Sequence, residues 1–99
     1  MLTLDHIAES LEAVLTSYDV SAAYVFGSYA RGDASEDSDV DVRLECGDRI
    51  GYAQLLDIQE QLEDFLEVHV EIVTNPPELM RPAFRERIGR DEVLLYEAA

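Results

Sequence analysis

The chain contains no lysine and only one cysteine, Cys46. A single cysteine excludes an internal disulfide, and a reducing cytoplasm is the simplest compartment for it. No apolar run approaches the length needed to cross a bilayer. The first residues, Met1-Leu2-Thr3-Leu4-Asp5-His6, lack a basic region followed by an apolar run, so no secretion signal is expected. Positive charge is scarce: seven basic residues, all arginine, stand against 22 acidic ones, for a formal net charge of -15. This balance argues against nucleic-acid binding through phosphate neutralisation. It also implies self-repulsion in dilute buffer. In about 1 M salt the Debye length falls to about 3 Å and the repulsion is screened. The acids are spread along the chain rather than gathered in a tail, which favours adaptation to a salty cytoplasm over an acidic patch for a basic partner.

Ninety-nine residues, 47% of them apolar, suit one small domain, here residues 1–99, with one core and little room for a second substrate-binding domain. Leu4, Ile7, Ala8, Leu11, Val14, Leu15 and Tyr18 recur at steps of three and four, predicting an amphipathic helix with Thr3 as its N-cap. Val20 to Phe26 reads as a buried strand ending at Gly27. Ser28 to Gly32 is a turn or short helix, and Asp33 to Ser38 a polar loop. Asp39 to Glu45 alternates charged residues with Val40, Val42 and Leu44, the pattern of a strand with one buried face. Tyr52, Leu55, Leu56, Leu62, Phe65 and Leu66 predict a second amphipathic helix, and Val68 to Val73 a third strand. Asn75-Pro76-Pro77 breaks the chain. Leu79 to Ile88 predicts a further helix, with Pro82 suited to a first helical position and Gly89 to its end. Val93 to Tyr96 predicts a last strand. The expected class is α/β (α+β), a small mixed sheet with helices on one face.

The chemistry concentrates in Gly27-Ser28-Tyr29-Ala30-Arg31-Gly32 and Ser38-Asp39-Val40-Asp41-Val42. Residues two apart on a strand share a face, so Asp39, Asp41 and Arg43 lie on one side and Val40, Val42 and Leu44 on the other. Paired carboxylates on a fixed backbone suit Mg²⁺. Two adjacent divalent ions suit phosphoryl transfer. A third carboxylate is available at Glu71, which shares the polar side of the third strand with His69. Gly27 lets the backbone approach a phosphate, Ser28 sits where backbone N–H groups form an anion site, and Arg31 can add a charge-assisted bond.

The Gly-Ser turn followed about ten residues later by Asp-x-Asp resembles the signature of the DNA polymerase β-like nucleotidyltransferases. More narrowly, it resembles their minimal single-domain members, the MNT family. The resemblance covers nearly the whole chain and implies the nucleotidyltransferase fold. It implies that Gly27 and Ser28 bind the β- and γ-phosphates of ATP, and that Asp39 and Asp41 bind two Mg²⁺ ions. It also implies that Glu71 completes one metal site and helps deprotonate an acceptor hydroxyl. Such proteins pair with a helical HEPN-domain toxin, so the implied reaction moves AMP from ATP to a tyrosine of that partner and silences it. The chain departs from the family at Glu71, usually aspartate, and at Arg43, usually apolar. Two other readings stay open: an antitoxin that acts by occlusion with a weak or silent site, and a small-molecule nucleotidyltransferase, which usually carries an extra helical domain.

Other residues carry blander readings. Asp37, Asp39 and Asp41 mimic an EF-hand start, but Val42 and Asp48 stand where that loop needs glycine and glutamate. His69 and His6 read as surface or packing residues, Cys46 as an incidental thiol. Arg81, Arg85, Arg87 and Arg90 read mostly as a solvated helix face.

Overall fold

A computed structural model describes residues 2–74 and 91–98. The expected helix Leu79 to Ile88, with Pro82, Gly89 and the four arginines between 81 and 90, lies outside the described residues. The elements are α1 (Leu4–Leu15), β1 (Val20–Phe26), α2 (Ser28–Arg31), β2 (Val40–Cys46), α3 (Tyr52–Leu66), β3 (Val70–Val73) and β4 (Val93–Glu97). Among the described residues no helix is long and apolar enough to cross a membrane.

Helix α1 begins as the sequence predicts. The Thr3 hydroxyl accepts the backbone N–H of His6 at 3.1 Å, satisfying one of the donors a helix start leaves open. Ile7, Leu11, Val14 and Leu15 are buried along its inner stripe. Helix α3 buries Ile58, Leu62 and Leu66, one residue per turn. Here the stripe differs from the expected one. Tyr52, Leu56 and Phe65 are exposed, and Ile58, which the expected stripe omitted, is fully buried. Several apolar residues spread around one helix do not fix which stripe turns inward; packing against α1 and β3 does.

The strands form one mixed sheet in the order β3-β2-β1-β4. Strands β1 and β2 are antiparallel, as are β1 and β4, while β2 and β3 run parallel and are joined through α3. The parallel pair matters most, because parallel strands need a crossover and so present their ends at one edge. Val40, Val42 and Leu44 are fully buried with Ile7, Leu11, Ile58 and Leu62 in a single cluster between sheet and helices. Strand β2 starts at Val40, so Asp39 lies one residue before it.

The opposite face of β2 is less open than alternation implies. Arg43 is 3% exposed. Its guanidinium lies 4.3 Å over the Tyr24 ring. It donates through Nε (2.9 Å) and Nη2 (3.0 Å) to the two carboxylate oxygens of Glu92, just before β4. A third bond, from Nη1 to Glu45, is 3.4 Å long. One buried cation thus ties β2 across β1 to the start of β4.

Candidate active site

Strand β1 ends in a bend that only glycine fits. Gly27 has φ of 76°, in the left-handed region. A Cβ added there would overlap the Asp41 carboxylate. The bend leads directly into α2, where the Arg31 N–H bonds the Gly27 carbonyl at 3.0 Å. The register places Phe26 opposite Asp41 on β2, so the turn and the acid meet without any long-range adjustment. Gly27→Ala is expected to destabilise the fold by about 1–3 kcal/mol, the usual cost of forcing a side chain into such backbone. It should also weaken ATP binding, because either Asp41 or the turn must move; thermal melts and calorimetric titration with ATP check both.

Strand β3 supplies the third acid. Asp41 pairs with Glu71 in the parallel register. The start of β3 is held from α3 on both backbone groups of Val70. Its N–H donates to Glu63 Oε2 at 3.0 Å, and its carbonyl accepts Gln59 Nε2 at 2.9 Å. The Val40 N–H closes the pair by bonding the His69 carbonyl at 3.0 Å. A sheet-edge strand of four residues is therefore fixed in position by side chains of the crossover helix.

The result is a cleft of about 380 Å³ lined by Phe26, Gly27, Ser28, Arg31, Asp41, Glu71, Val73 and Asp91. Five of the six residues singled out from the sequence line it. The sixth, Asp39, adjoins it: one ligand atom each from Asp39, His69 and Glu71 lies within 4.8 Å of the others. Glu71 also lines a second groove with Tyr52, Leu55, Leu56, Gln59, His69, Ile72 and Thr74. It therefore stands between two concavities, one polar at the glycine turn and one flanked by exposed apolar side chains of α3.

Electrostatics mark the same place. Desolvation, then Glu71 and Asp39, push the Asp41 carboxyl above its ordinary value, against weaker relief from Arg31 and His69. Partial desolvation opposes the charge on His69, but Glu71, Asp39 and Glu63 outweigh it and raise that ring above its ordinary value. Three carboxylates thus crowd one spot with too little positive charge. Oxygen donors are what a hard divalent cation takes, and such an ion would relieve the repulsion at Asp41, although the cluster drawn within 4.8 Å is Asp39, His69 and Glu71 and leaves Asp41 out.

Arg31 is in place but engaged. Its Nε donates to Asp33 and its Nη1 to Asp91, both at 3.2 Å. Asp91 lines the cleft, so an incoming phosphate would compete with it for the guanidinium. Asp91 escaped the sequence reading because it is distant in sequence and bears no motif. His69 was legible only as a residue sharing parity with Glu71. Cys46 is half-buried, and burial together with Asp19 pushes its thiol up, which disfavours the reactive thiolate.

Residues 9–99 match the family described as polymerase beta, nucleotidyltransferase. The protein adenylyltransferase MntA of Thermococcus cleftensis is 36% identical over 81 residues, covering 74% of this chain and 78% of that protein. A solved structure assigned as a minimal nucleotidyltransferase superposes with a TM-score of 0.73 at 30% identity, covering 93% of this chain and 95% of that one. Two further structures share the fold at lower identity. One is a toxin–antitoxin complex with AMP-PNP, at TM-score 0.72 and 18% identity, covering 98% of this chain and 75% of that one. The other is the tri-AMPylated Shewanella oneidensis HEPN toxin in complex with its MNT antitoxin, at TM-score 0.69 and 14% identity, covering 97% of this chain and 74% of that one. The glycine turn, the paired strand carboxylates and the match over almost the whole sequence agree: this chain belongs to the polymerase beta nucleotidyltransferase family.

Proposed function

We propose that the protein is a metal-dependent adenylyltransferase that moves AMP from ATP to a tyrosine hydroxyl of a HEPN-domain toxin and so acts as its antitoxin. The observation that carries this reading is the register that sets Asp41 beside both Glu71 and the Gly27-Ser28 turn in one cleft. A relative named for protein adenylylation and a neighbour holding an AMPylated HEPN toxin support the donor, the product and the partner.

Each residue then has a task. Gly27 brings the backbone close to the β- and γ-phosphates, and Ser28 offers its hydroxyl and backbone to them. Arg31, released from Asp91, adds a charge-assisted bond to the same phosphates. Asp39, Asp41 and Glu71 would hold two Mg²⁺ ions. Bound there, the ions would neutralise the triphosphate and activate the acceptor oxygen. A Glu71 carboxylate oxygen can take the acceptor's proton, since Glu71 faces both concavities. The groove beside Tyr52, Leu55 and Leu56 is where the acceptor segment would lie. Glutamate, one methylene longer than the family's usual aspartate, reaches toward that groove from a strand edge. The reaction is mainly positioning and charge neutralisation.

The lysine-free, acidic composition supports a cytoplasm of high salt as the setting, so the test belongs at high salt. Incubated with Mg²⁺, labelled ATP and the toxin encoded beside it, the wild-type chain should label the toxin. An Asp39→Ala, Asp41→Ala double variant should not. If that variant neutralises the toxin as well as the wild type does, and the wild type transfers no label, the protein works by occlusion instead.

A further inference from the structure

His69 has no part in the roles above, yet its ring is held at both nitrogens. Nδ1 lies 2.8 Å from Glu63 Oε2 and Nε2 lies 3.4 Å from Glu71 Oε1. The same Glu63 oxygen accepts the Val70 N–H, so Glu63 is itself anchored between α3 and β3. In a neutral ring, a carboxylate acceptor at Nδ1 keeps the proton on that nitrogen and leaves Nε2 with a lone pair set against the Glu71 carboxylate, a pair of donors that a cation would bridge. That lone pair faces the cluster in which Asp39, His69 and Glu71 atoms lie within 4.8 Å of one another. An octahedral shell with bonds of about 2.0–2.1 Å sets adjacent ligand atoms about 3 Å apart, so these exposed side chains would close by up to about 2 Å, within rotamer adjustment. An imidazole whose remote nitrogen is held by an anchored carboxylate is the usual arrangement of a metal-binding histidine.

We propose that His69 Nε2 is a metal ligand beside Asp39 and Glu71, with Glu63 as the carboxylate that orients it. A nitrogen donor adds little for Mg²⁺ but favours first-row transition ions. The site therefore shifts the balance toward Mn²⁺ over Mg²⁺, beyond what three carboxylates alone would give. This inference rests on the metal-dependent reading of the site.

The test uses the full chain loaded with Mn²⁺ at a pH of about 8.5, two units above the ordinary histidine value. Pulsed electron paramagnetic resonance should show coupling to an imidazole nitrogen in the wild type and none in His69→Gln. Calorimetry should show Mn²⁺ binding weakened about tenfold or more by His69→Gln, and about 10–100-fold by Glu63→Gln, which keeps an oxygen for the Val70 N–H. Mg²⁺ binding should change less than Mn²⁺ binding in His69→Gln. His69 is exposed, so that variant should fold normally, with the wild-type melting temperature as the control. Bound Mn²⁺ without nitrogen coupling overturns the inference and reduces His69 to an ion-pair partner of two glutamates, while AMP transfer by the same sample would leave the adenylyltransferase reading standing. Failure to bind Mn²⁺ at all overturns the ligand assignment, and loss of AMP transfer on chelation of Mg²⁺ in the same preparation would leave metal dependence standing.

Discussion

Replacing Asp41 by asparagine should abolish AMP transfer and, without divalent metal, raise the melting temperature. The two effects have one cause. Burial and the neighbouring Glu71 and Asp39 disfavour the Asp41 carboxylate in the folded state. A carboxyl held above its ordinary value favours folding while protonated and disfavours it once ionised. The wild-type penalty is therefore absent at acidic pH, grows as pH rises through the ordinary carboxylate range, and is complete above the folded value. Melts of wild type and Asp41→Asn should coincide in acid and separate at neutral pH, with the variant higher. Added divalent metal should narrow or reverse the gap, because only the wild type gains full binding energy. Activity should move the other way. Losing one shared metal ligand removes about 4 kcal/mol of transition-state stabilisation, roughly a thousandfold in rate. A variant that keeps its rate would show Asp41 to be a structural acid.

Arg43→Ala should produce the largest loss of stability. The arginine is buried, bonded to both carboxylate oxygens of Glu92 and stacked on Tyr24. Removing it leaves Glu92 without its main partner in a largely enclosed place. Breaking a buried pair from one side costs about 3–5 kcal/mol. For a chain of this size that lowers the melting temperature on the order of 15 °C or more. The loss should persist in high salt, unlike effects at exposed charges, because enclosed pairs are poorly screened. Pairing Arg43→Met with Glu92→Met should recover much of it, since apolar replacement of a buried pair is often neutral. A fall of less than about 1 kcal/mol would place Arg43 among ordinary surface pairs.

Much of this was legible in the residues. Thr3, the β-branched run Val20 to Phe26 and the alternation from Val40 to Leu44 marked three elements because local chemistry and tertiary burial agree there. Asp41 and Glu71 could be matched by strand parity, and the parallel register brings them together. What stayed hidden depends on contacts between distant segments. The stripe of α3 was misjudged because Tyr52, Leu56 and Phe65 are apolar but face outward. Arg43 was placed only on the same side of its strand as Asp41, since nothing near it in sequence announces Glu92, 49 residues away. His69 looked incidental until Glu63, one helix earlier, was seen to hold its ring.

The most direct test is to follow the two ends of ATP separately. With wild-type protein, toxin and divalent metal at high salt, the account predicts that label on the α-phosphate ends on a tyrosine of the toxin. Label on the γ-phosphate should leave in pyrophosphate. Recovery of the γ-label on the toxin, or silencing of the toxin with neither label attached, would contradict it.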